Sequence, residues 1–166
     1  MSYTTIIRVW PGEKSETAEE FRNAWGSAPV VWNDMAMRYL DAPNHGYMSC
    51  IDNIWPLAKR VDIPLHHRAV LAMTYDRMYV LREHYHHAAE CIKRYLADFP
   101  PDEMHVNHWP DIARIFRGQP DCPAIGMWCT SVCGNPFQGE WDDETEKYKQ
   151  PDWSQYWSLF DYLDQN

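Results

Sequence analysis

The chain has 166 residues, 45% of them apolar, and carries 15 basic against 24 acidic side chains for a net charge of −9. That composition supports one hydrophobic core in a single domain spanning residues 1–166, and it excludes direct grip on nucleic acid, since no basic stripe offsets repulsion from phosphates. No apolar run reaches the roughly 18 residues of a membrane span, and Met1–Trp10 lacks the basic start and apolar stretch of a signal peptide, so a cytoplasmic protein is expected.

Taken in chain order, Tyr3 to Trp10 is rich in β-branched and aromatic residues and ends at Pro11-Gly12, which predicts a strand and a turn. Ser15 followed by Glu16, Glu19 and Glu20 has the acidic first turn of a helix that should run to Trp25 and stop at Gly26. A second short helix is expected over 29–40 and a third over 47–60, where Pro56 marks a kink or boundary. Leu71, Met78, Leu81, Tyr85, Ala88, Ile92, Tyr95 and Phe99 share one three-and-four spacing interrupted only by Thr74. Read by period, residues 64–99 form one amphipathic helix of roughly 50 Å, capped by Asp62 and stopped by Pro100-Pro101. Another short helix is expected over 110–117. A strand over 124–132 could pair with the first strand, and an aromatic-faced helix should run from 152 to 163. The expected fold class is therefore mainly α, a compact helical domain around one long central helix, with a minor β component.

Three groups of residues suggest chemistry. Glu83, His84, His86, His87 and Cys91 crowd one stretch of the long helix, with His84, His87 and Cys91 on one stripe and Glu83 and His86 spaced like half of a di-iron ligand set. Cys122, Cys129 and Cys133 could supply three zinc thiolates, but no local fourth ligand completes the set. His105 and His108 lie three apart beside Asn107, which serves equally well as a capping residue, and His66-His67 read as surface residues in the first turn of the long helix. Five cysteines cannot all pair and are scattered, so reduced thiols are expected. With every ligand set incomplete, neither metal nor cofactor is expected. Nor does the chain carry a phosphate-binding loop or a nucleophile elbow.

Charge distribution is more informative than its total. Residues 1–100 hold 11 basic and 12 acidic groups, residues 101–138 hold 2 and 4, and residues 139–166 hold 2 and 8. Glu140, Asp142, Asp143, Glu144 and Glu146 in that last segment alternate with Trp141 and Tyr148, and Trp153 and Trp157 follow. Carboxylates interleaved with aromatics would attract and anchor a basic protein surface. The expected function is thus non-enzymatic protein binding through Glu140, Trp141, Asp142, Asp143, Glu144, Glu146, Trp153 and Trp157. The natural target is a basic, nucleic-acid-processing protein. By size and charge, the analogy is with small phage-encoded inhibitors that imitate nucleic acid, such as antirestriction and anti-CRISPR proteins. The alternatives are a helical metalloprotein or enzyme using the Glu83–Cys91 face, and a structural subunit that self-assembles through exposed aromatics.

Overall fold

The computed structural model describes residues 2–129 and 134–165. Its framework is a five-stranded sheet rather than a helical spine. Tyr3–Trp10 (β1) turns through Pro11-Gly12 into Lys14–Arg22 (β2), and the sheet continues through Ala124–Trp128 (β4), Met78–Leu81 (β3) and Trp157–Ser158 (β7) in the order β2-β1-β4-β3-β7. All neighbours are antiparallel except β3 and β7, which run parallel.

Alternation sorts the two faces. Ile6, Met78, Val80, Ile125 and Met127 enter the main core, where they meet Ala28–Tyr39 (α1), Leu65–Met73 (α3), Tyr85–Asp98 (α4), Trp109–Arg117 (α5) and Leu159–Asp164 (α6); the single turn Ile51–Ile54 (α2) adds Ile54. Ile7, Val9 and Ala124 point the other way. Phe137 and Tyr156, from the segment after β4, cover them as a second, smaller cluster. That segment also carries the two-stranded hairpin Trp141–Asp142 (β5) and Lys147–Tyr148 (β6).

These elements overturn the mainly α expectation and its single central helix. Residues 64–99 form α3, a reversal, β3 and α4. The reversal is built at the one break in the apolar spacing: Thr74 N–H closes on the carbonyl of Leu71, and Arg77 takes the left-handed conformation at φ 66°. In the four-residue strand that follows, Met78 and Val80 face the helices, whereas the helical reading would have buried Leu81. Asp62 does not cap the segment; it pairs with Arg60, and Pro64 occupies the cap position.

The helix expected from Ser15 to Trp25 is strand β2, ended by the short 3-10 turn Ala24–Gly26. Its glutamates are exposed or half-exposed charges along a sheet edge, and Ala18 forms a bulge opposite the Ile6–Ile7 step; both features discourage pairing with another chain. The expected 47–60 helix is two 3-10 turns flanking α2, and the 152–163 helix is a 3-10 turn, β7 and the six-residue α6. Helices near 29–40 and 110–117 form as expected, and β4 pairs with β1, the partner the sequence suggested; residues 130–132 of that expected strand lie outside the described residues.

Gly126 in β4 records how closely the second layer approaches. A Cβ there would stand 2.0 Å from Cζ of Phe137 and 2.6 and 2.8 Å from its Cε atoms. Phe137 is fully buried, so the ring has no room to withdraw. Gly126→Ala should therefore lower stability by about 1–3 kcal/mol in urea denaturation. A loss below about half a kcal/mol would show that the ring does not seat on the glycine.

Candidate functional site

The helices enclose a cleft of about 680 Å³ between α1, the turn region around Tyr47, the end of α4 and the loop that follows it. Pro100 and Pro101 stop α4, so the chain leaves the helix just after Asp98 and crosses back over α1. The crossing is close: His108 N–H donates to Gly26 O at 2.7 Å, and a Cβ on Gly26 would meet Val106 Cγ1 at 2.7 Å. Trp25, Met48 and Val106 leave exposed apolar surface on the cleft rim, while Asp34, Asp98 and Asp102 contribute carboxyl groups.

Asp98 is the junction of a polar cluster. Its Oδ2 accepts from Nε2 of His66 at 2.6 Å and Nε2 of His67 at 2.8 Å, and the Tyr39 hydroxyl meets Nδ1 of His67 at 2.6 Å. The His67 ring is held by Tyr39, Tyr95 and Phe99, with centroids 5.9, 5.8 and 4.9 Å away. Both imidazoles are buried, whereas the Asp98 side chain is 48% exposed toward the cleft. Burial pulls the His67 pKa down, only partly opposed by its hydrogen bond to Asp98. Hydrogen bonds from His66 and then His67 hold the Asp98 carboxyl below the usual carboxylate range.

Three residues before Asp98, Tyr95 donates to Asp34 Oδ2 at 2.6 Å. Burial pushes the Asp34 carboxyl up to about 6 despite that donated bond. One cleft therefore holds a carboxyl poised to carry a proton and another kept ionised, a separation suited to moving protons or holding a cation.

His105 and Asn107 line the cleft, but the other ligand candidates singled out by sequence lie elsewhere. His84 and His87 pack on Phe160, His87 stacked at 4.4 Å, and Glu83 and His86 are exposed. Cys91 is buried, its thiol pushed up to about 11 by burial. Cys122 meets the Tyr85 hydroxyl and Cys129 the carbonyl of Thr74; burial pushes the Cys129 thiol up to about 12, and Cys133 lies outside the described residues. Among the described residues, His66, His67 and Asp98 are the one group of three or more such side chains close enough to share a metal ion. His105 pairs with Asp102, His108 stacks on Phe21 and holds the cap position of α5, and Asn107, one residue earlier, accepts from Trp109 N–H.

The acidic residues of the C-terminal segment do come together. Trp141 faces Tyr148 across β5 and β6 at 5.0 Å, and Asp142, Asp143, Glu144 and Glu146 occupy the hairpin end, with Glu140 at its base. Trp153 is half-buried against Tyr156 and belongs to the second cluster; Trp157 is exposed but lies on β7 at the sheet edge. The His-Asp-His cluster was hidden from sequence because one 64–99 helix would put His66 and Asp98 at opposite ends of a rod, roughly 50 Å apart. The adjacent His66-His67 pair behind a proline was its only local signal.

Asp34 makes a pH prediction. Its proton is held by both the folded and unfolded chain below about pH 4, by the folded chain alone between about 4 and 6, and by neither above that. Folding stability should thus fall across the window as pH rises. Relative to Asp34→Asn, the parent should lose as much as about 3 kcal/mol between pH 4 and 7 in parallel denaturation series. Parallel curves for the two proteins would mean the carboxyl titrates normally.

Comparison of the chain with protein-family models, with curated proteins and with solved structures finds no match, so its function has to be read from its own side chains.

Proposed function

We propose that this chain is a non-enzymatic binding module whose acidic hairpin docks on a basic surface of a nucleic-acid-processing protein. The observation that carries the reading is the hairpin itself. Trp141 and Tyr148 are 50% and 53% exposed, and the hairpin end adds Asp142 from β5 and three further carboxylates, Asp143, Glu144 and Glu146, from the turn. An exposed aromatic pair beside a predominantly acidic hairpin end, with Lys147 and Lys149 flanking Tyr148, has the two parts of a protein-binding hot spot, an apolar anchor and a charged rim that steers encounter.

The charge sign selects the partner. Carboxylates at the hairpin end can occupy lysine and arginine sites that would otherwise hold phosphates, which makes the module a nucleic-acid mimic in the manner of small acidic inhibitors such as antirestriction and anti-CRISPR proteins. Among the described residues no helix is long and apolar enough to cross a membrane. Buried neutral thiols at Cys91 and Cys129 suit a reducing cytoplasm, the compartment where such a partner would be met.

Charge reversal at Asp142, Asp143 and Glu144 tests the reading, because all three lie outside the core. Immobilised parent protein should retain basic nucleic-acid-binding proteins that short duplex DNA and added salt release. The triple variant should retain little of them at low salt, and Trp141→Ala should weaken the interaction by about 2 kcal/mol, chiefly through faster dissociation. Retention that survives charge reversal, or that duplex DNA does not compete, overturns the proposal.

A further inference from the structure

We propose that His66, His67 and Asp98 bind a divalent transition-metal ion, zinc by the chemistry of the donor set, beside the cleft that Asp98 helps to line. Two imidazole nitrogens and one carboxylate oxygen lie within 4.8 Å of one another. This is the ligand complement of zinc sites that keep a position free for water or substrate. Zinc at 2.0–2.2 Å from each donor would set them about 3.3 Å apart. The present N···O distances of 2.6 and 2.8 Å mean that Asp98 need only withdraw by about half an ångström as the ion enters. Asp98 is the ligand able to do so, since its side chain is half-exposed while the imidazoles are fixed.

The surroundings favour a metal over a simple hydrogen-bonded trio. When Nε2 of His67 gives up its proton to bind the ion, Nδ1 can carry a proton and donate it to the Tyr39 oxygen already 2.6 Å away. That contact is the orienting partner expected behind a ligating histidine. Asp98 is also the last residue of α4, where the helix dipole favours a cation. Asp98 also lines the cleft, whose further carboxyl groups at Asp34 and Asp102 raise the local concentration of cations.

The test uses the full chain, stripped with chelator and titrated with Zn2+ alone, followed by Co2+ as a spectroscopic probe. One equivalent should bind, and Co2+ should give visible ligand-field bands of a low-coordinate nitrogen and oxygen site. Asp98→Asn, a half-exposed change that circular dichroism should show to be folded, should abolish both signals, as should His67→Gln where it folds. Tyr39→Phe keeps the ring packing; it should preserve the stoichiometry, shift the Co2+ bands and weaken binding by about 10-fold or more. Absence of a saturable equivalent overturns the proposal. So does binding that persists in Asp98→Asn but is lost in His105→Ala, which would place the ion on the exposed Asp102–His105 pair instead.

Discussion

Thr74 is the residue on which the architecture turns. Its hydroxyl donates to Leu71 O at 2.7 Å and accepts from the Trp32 indole at 3.0 Å, while its carbonyl receives the Cys129 thiol at 3.8 Å. One buried threonine thereby ends α3, fixes α1 against it and ties in the far end of β4. Of these contacts, the Trp32 indole is the one that needs the hydroxyl itself; with an apolar side chain in its place the indole N–H would lose this acceptor, which costs more than an ordinary hydrogen bond returns. Because α3 stops there, β3 can enter the sheet and α4 can return along α3. The return places Asp98 beside His66 and His67.

Much of the frame was legible because local chemistry and tertiary context agreed. Tyr3–Trp10 has β-branched residues and a Pro-Gly stop, and α5 has a proline in its first turn and Gly118 after its last, so pattern and punctuation identify them. The 64–99 segment deceived because helical spacing continued by coincidence through Met78-Tyr79-Val80-Leu81. Four residues are too few for period to separate helix from strand, and β-branched Val80 together with the interrupting Thr74 were the better guides. β2 deceived in another way: glutamates near a helix start and glutamates on a sheet edge look alike until the partner strand is known.

The candidate chemistry was less legible for the same reason. Histidines counted along a supposed helix drew attention to the 83–91 stretch, where His84 and His87 instead pack on Phe160, Glu83 and His86 face outward and Cys91 is buried in the core. The acidic hairpin needed no long-range pairing and could be read from local composition. The molecule thus presents two unlike regions: a rigid carboxylate and imidazole cluster among the helices, and an aromatic-acidic projection carried by the segment that covers the helix-free face of the sheet.

The strand order also dictates the sequence of folding events. β1 pairs locally with β2, and α3, β3 and α4 are neighbours along the chain, so these units can assemble through short loops. The centre of the sheet joins Ile6 to Met127, about 120 residues later, and its far edge waits for Trp157 to reach Met78. Closing such distant contacts costs chain entropy before any burial rewards it. During synthesis, Ile6, Ile7 and Val9 would wait for β4 until about 120 further residues had been made. The bulged, charged edge of β2 then acts as a guard during that interval, limiting strand addition by other nascent chains while β1 awaits its own partner.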